Sequence, residues 1–272
     1  MLYNAKSGII PIDGTEMEYI RFGTGSKKLV FLPGLGDGLR SVKGSALPMA
    51  LLYRKYTADY TAYMFSRKKK IPQSCSTKDM AAELKKAMEQ LGIEKADVIG
   101  VSMGGMVAQH LAADFPEAVD KLVLVVTCPF CNTIAKSAIE KWMSLAKGNE
   151  HMALMDSNLK LIYSEKYYRR NRWMLPLGAA LSRPKSYERF FRQAEACLSH
   201  DARDSLSRIK APTLIIGGAQ DRVLGGEASK ELHDKIPGSK LRIYPNGNHG
   251  LYDEEKDFND IILRFFSEQN RS

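Results

Sequence analysis

Cysteine is scarce in this 272-residue chain, with four in all, too few for disulfides to carry the fold. The one close pair, Cys128 and Cys131, sits in a Pro-Phe turn after an apolar run. No second Cys-x-x-Cys supplies the further soft ligands that a metal site needs, so the pair reads as reduced, partly buried thiols. Long hydrophobic runs are also missing. The stretches 122–126 and 214–216 are strand-sized, far short of the ~20 residues that cross a bilayer. Met1 to Ser7 lack a basic-then-apolar secretory design, and a cytoplasmic location is the expectation. Gly34, Gly36 and Gly38 follow a strand-like run, yet neither G-x-G-x-x-G nor G-x-x-x-x-G-K-[ST] spacing occurs there. No cofactor and no metal are expected.

Negative charge is in deficit, with 31 Asp and Glu against 40 Lys and Arg. The imbalance is local. Residues 130–210 hold 15 Lys or Arg against 8 Asp or Glu, an excess of seven out of the net +9. No nucleic-acid motif accompanies it, so a solvated face is the plain reading and nucleic acid is not an expected partner. The functional alternative is an anionic small-molecule substrate held by Arg169, Arg170 or Arg172.

What is present is alternation. Strand-like runs at 18–22, 28–32, 60–66, 97–100, 121–126, 213–217 and 240–244 are interleaved with helical patterns at 77–91, 106–115 and 258–266. The first two runs, joined by Gly23-Thr-Gly-Ser26, suggest an antiparallel opening, and Thr77 is placed to cap the helix that follows it. This alternation specifies an α/β fold: a mostly parallel central sheet with helices on both faces. From about 130 to 209 only helical patterns occur, at 135–146, 157–170 and 187–198. The expected organisation is a core of 1–129 and 210–272 interrupted by a helical insertion, 130–209. That insertion holds both tryptophans, Trp142 and Trp173, and Met143 and Met174 beside them. Part of this set is expected to line an apolar acyl pocket, since methionine adapts readily to irregular ligands.

The most informative stretch is Val98-Ile-Gly-Val-Ser-Met-Gly-Gly105, where an apolar run ends at Gly100 and a helical pattern opens after Ser102. Glycines on either side of a serine allow strand and helix to meet in a tight bend that lifts the hydroxyl clear of the sheet. The helix starting at Met103 also aims unpaired N–H groups and a positive dipole end at any oxyanion formed there. A serine hydroxyl needs a base to become a nucleophile. Of the five histidines, only His249 occupies a Gly-rich loop directly after a strand run. His110, His151, His200 and His233 lie on helical patterns or inside the insertion. The acid that orients such a base belongs on another post-strand loop, and Asp221, after the 213–217 run, fits. The loop after 121–126 reads Thr127-Cys-Pro-Phe-Cys-Asn and offers no acid.

The order Ser102, Asp221, His249, with the spacing around each, resembles the serine branch of the α/β-hydrolase superfamily over about residues 18–266. The resemblance implies an oxyanion hole from the backbone N–H groups of Leu35, in Leu32-Pro-Gly-Leu-Gly36, and of Met103. It departs from common members at Pro33, where many have histidine, at Asn248 before the histidine and at Gly225 after the acid. Ser102 separates the chain from relatives with an aspartate nucleophile. The function implied is hydrolysis of a small to medium acyl ester through an acyl-serine. Enol-lactonase, thioesterase, C–C hydrolase, perhydrolase and aminopeptidase are sibling readings, the last disfavoured by the basic insertion. A ligand sensor that keeps the triad is the alternative of another class.

Overall fold

The computed structural model describes residues 2–268 as one eight-stranded sheet flanked by helices. In chain order the elements are β1 (Lys6–Ile12), β2 (Thr15–Phe22), β3 (Lys27–Leu32), α1 (Ala46–Leu52), β4 (Tyr60–Phe65), α2 (Thr77–Gln90), β5 (Ala96–Val101), α3 (Met103–Asp114) and β6 (Val119–Val125). Five helices follow without an intervening strand: α4 (Thr133–Lys147), α5 (His151–Ile162), α6 (Glu165–Asn171), α7 (Leu175–Ser182) and α8 (Glu188–Leu198). The chain then completes the sheet with β7 (Thr213–Gly218), α9 (Ala228–Lys235), β8 (Lys240–Tyr244), α10 (Leu251–Glu254) and α11 (Phe258–Ser267).

The strand order is β1-β2-β4-β3-β5-β6-β7-β8, antiparallel where β2 meets β1 and β4 and parallel from β4 to β8. The inner strands are apolar on both faces, as a covered parallel sheet requires. Leu29 and Phe31 of β3, with Val123 and Val125 of β6, pack on the side of α1 and α11. Val30, Leu32, Leu122 and Leu124 pack on the side of α2 and α3. No helix among the described residues is long and apolar enough to cross a membrane.

Three sequence expectations need correction. The runs 18–22 and 28–32 do not form a hairpin, because β4 lies between β2 and β3. The Gly23–Ser26 link is pinned to the chain before β4 instead: Thr24 N–H donates to Thr57 O and Lys27 N–H to Asp59 O. A Cβ on Gly25 would fall 1.9 Å from the Asp59 carbonyl carbon, so only glycine allows the approach. Helix α2 is capped by Ser76, not Thr77. Ser76 Oγ accepts from Asp79 N–H while the Asp79 carboxylate accepts from Ser76 N–H, a reciprocal capping box. The expected helix 157–170 is two helices, α5 and α6, broken at Tyr163, with Ser164 Oγ accepting from Tyr167 N–H to start the second.

The excursion between β6 and β7 is pinched at its base. Phe130 and Asp201 form an isolated antiparallel bridge, and Ala202 N–H donates to Pro129 O.

Candidate active site

Ser102 joins β5 to α3 with φ 54° and ψ −119°, a conformation L-residues avoid and one that marks a held, strained turn. Its N–H donates to Val125 O, and its carbonyl accepts from Thr127 Oγ1 at 2.8 Å, so the end of β6 fixes the bend from the side. Gly104 has no room for a side chain: a Cβ there would lie 2.0 Å from Leu32 O. That contact sets the exit of β3 against the first turn of α3.

The sheet brings the three distant residues together at its carboxyl edge, where open α/β sheets bind ligands. His249 Nε2 lies 3.0 Å from Ser102 Oγ, and His249 Nδ1 lies 2.8 Å from Asp221 Oδ2. The other Asp221 oxygen accepts from the N–H groups of Val223 and Leu224 at 2.8 and 2.9 Å. Its second lone-pair set is thus occupied and the carboxylate cannot swing away. The acid and histidine loops are joined by backbone, with Gln220 N–H donating to Gly247 O. Asp221 and His249 are buried while Ser102 is half-buried. An imidazole so placed can take a proton from the hydroxyl, and the acid on its far side favours the tautomer that leaves Nε2 free to accept.

β3 and β5 are hydrogen-bonded neighbours, with Leu32 paired to Gly100, so the turn leaving β3 runs beside Ser102. Leu35 opens a 3-10 turn over Leu35–Gly38, and Met103 opens α3. As first residues of helical turns both carry N–H groups without an intrahelical acceptor.

Sequence reading missed what holds the 35–38 turn. Asp37 has a fully buried side chain that pairs with Arg189 of α8 and accepts from Arg67 N–H at 2.9 Å and from Gln193 Nε2 at 3.1 Å. Arg67 also donates to Pro33 O at 2.9 Å. An acid inside the glycine-rich run 34–38 was the available signal; its partners, 30, 152 and 156 residues away, left none.

The four apolar candidates of the insertion are not brought together. Trp142 is buried in the core, with Met143 packed beside it at partial exposure, whereas Trp173 and Met174 are 75% and 47% exposed. Arg169, Arg170 and Arg172 are exposed, Arg169 in an ion pair with Glu165 at 2.7 Å. Cys128 and Cys131 are free thiols, and burial pushes the Cys128 thiol well above its ordinary pKa.

The family model described as the alpha/beta hydrolase fold matches residues 27–256, and the chain belongs to that family; its coarse class is hydrolase. The AB hydrolase superfamily protein YisY of Bacillus subtilis is 30% identical over 196 residues, covering 68% of this chain and 72% of that protein. The protein named "Putative carbamate hydrolase RutD" in Stutzerimonas stutzeri is 26% identical over 202 residues, covering 73% of this chain and 76% of its own. Among solved structures, MGS-M2, an alpha/beta hydrolase enzyme from a Medee basin deep-sea metagenome library, superposes with a TM-score of 0.84 at 23% identity. The match covers 97% of this chain and 99% of that one.

Proposed function

We propose that this hydrolase cleaves small to medium acyl esters through an acyl-enzyme on Ser102. The observation that carries the proposal is the continuous chain Ser102 Oγ, His249, Asp221, at 3.0 and 2.8 Å. Ser102 Oγ attacks the ester carbonyl as His249 Nε2 takes its proton, and Asp221 holds the imidazole and stabilises its charge. The N–H groups of Leu35 and Met103 donate to the oxyanion; losing one such donor in a comparable site costs ~3–4 kcal/mol. The protonated imidazole then gives its proton to the departing alcohol. A water deprotonated by His249 releases the acid and frees the serine.

Helices α4–α8 are proposed to act as a cap over this site. Three ties to the site loops support that role: Arg189 of α8 holds the 35–38 turn, Gly250 N–H donates to Ile162 O, and Arg222 reaches Tyr163 O at 2.6 Å. The likeness to a protein named for carbamates widens the acyl class worth assaying, since carbamates present the same carbonyl to the same nucleophile.

The test is turnover of p-nitrophenyl esters from acetate to decanoate, with aryl carbamates alongside, combined with fluorophosphonate labelling. Labelling and turnover should both disappear in Ser102→Ala. A mutant that still labels would remove Ser102 from the nucleophile role, and a wild type that labels without turning over any substrate would favour the sensor reading.

A further inference from the structure

Helix α7 and the turn before it turn apolar side chains outward. Trp173, Met174, Leu177 and Leu181 are 75%, 47%, 61% and 66% exposed. The backbone is helical from Arg172 through Ser182, so positions 173, 177 and 181 fall on one stripe with 174 beside it. The opposite side is used inward, where Ala179 is buried. Soluble surfaces rarely keep four large apolar groups in one place without an occupant.

The charge around the stripe says what the occupant is. Residues 166–187 contain Lys166, Arg169, Arg170, Arg172, Arg183 and Lys185 and no acidic residue. All six are exposed. Among the described residues Lys166, Arg170, Arg172 and Lys185 form no ion pair. Four acids near this segment are already engaged, Glu165 with Arg169, Asp156 with Lys160, Asp253 with the Tyr163 hydroxyl and Glu254 with Ser164 N–H, which leaves Glu150, beside Leu175 and Arg183, as one acid near the six cations without an ion pair among the described residues. A second copy of the chain would bring the same cations face to face. A wide apolar phase bordered by negative charge suits both features: leucines and an amphipathic indole enter the interface while the basic side chains stay at headgroup level.

We propose that the α6–α7 face docks on a bilayer containing anionic phospholipid, with Trp173, Leu177 and Leu181 inserted and the basic rim on the headgroups. The proposal goes beyond the reaction at Ser102 and does not depend on it, because docking is read without turnover. The experiment is co-sedimentation of the full chain with vesicles of phosphatidylcholine doped with phosphatidylglycerol, against pure phosphatidylcholine, with tryptophan emission recorded. Trp142 is buried and Trp173 exposed, so a blue shift on binding reports Trp173 entering the interface.

Wild type and Ser102→Ala should bind the anionic vesicles alike, with a blue shift that salt reverses. Leu177→Asp combined with Leu181→Asp should lower partitioning at least about tenfold, with near-ultraviolet circular dichroism as a check that the fold is kept. Arg170→Glu with Arg172→Glu should do the same and erase the preference for anionic lipid. Binding unaffected by either pair, or none at low salt, overturns the proposal. So does a concentration-dependent dimer lost in the leucine variant, or retention by nucleic acid in place of vesicles.

Discussion

Ser102 holds a positive φ although it carries a side chain, a state that costs on the order of 1–3 kcal/mol. Glycine adopts it freely but loses ~0.5–1 kcal/mol through the unfolded chain. Ser102→Gly should therefore be more stable than Ser102→Ala by about 1 kcal/mol in urea unfolding, with both inactive toward esters. A Ser102→Gly variant less stable than Ser102→Ala by ~0.5–1 kcal/mol would mean that the bend is unstrained. Gly104→Ala should be severe, because its Cβ would meet the Leu32 carbonyl, which is backbone and cannot yield. At this scale the sequence was legible where space forces the residue type, as at Gly100 and Gly104, and where a serine stands between such glycines, as at Ser102. It was silent at Val126, which also has positive φ, at 40°; a β-branched residue gives no hint of that conformation, since the geometry comes from its N–H bonding to Ile216 O across the sheet.

Among elements, the parallel strands were readable because burial on both faces leaves an unbroken apolar run. β1 was not, since Gly8 and Pro11 within Lys6–Ile12 interrupt a strand pattern. It tolerates them as an edge strand. Where Asp221 and His249 sit relative to the strands was legible for the same reason as the strands themselves. The brace between α8 and the 35–38 turn was not, because an ion pair between Asp37 and Arg189 has no local pattern. Removing its carboxylate with Asp37→Asn should cost about 2–4 kcal/mol, below the full penalty of a buried pair because Arg189 keeps some solvent contact. If the brace sets the turn, kcat should fall more than KM changes. A drop in melting temperature with unaltered kcat would make the pair purely structural.

For the molecule as a whole, His200 ties distant segments into one core. Its Nδ1 is 2.8 Å from Thr77 Oγ1 at the start of α2, its Nε2 is 3.3 Å from Cys128 O beyond β6, and its ring meets His110 of α3 edge-on. Burial, then the neighbouring His110, pushes its pKa down to about 3 from 6.5. The folded protein thus keeps His200 neutral while the unfolded chain takes up a proton below 6.5. Stability supplied above that pH is lost as the pH falls from 6.5 toward 3, at a slope approaching ~1.4 kcal/mol per pH unit. His200→Gln should flatten this part of the acid profile of urea midpoints, whatever it costs at neutral pH. An unchanged slope would assign the acid loss to other groups.

The contact between Ser102 and His249 spans 147 residues of chain, and the five-helix excursion lies inside that span. During synthesis the turn that carries the proposed nucleophile emerges early, while its proposed base is encoded near the other end. On the proposed mechanism, a chain cut before β8 should therefore hold an inert serine. On that mechanism, reactivity requires β8 to be in place at the sheet edge, because the loop after it carries His249 to Ser102.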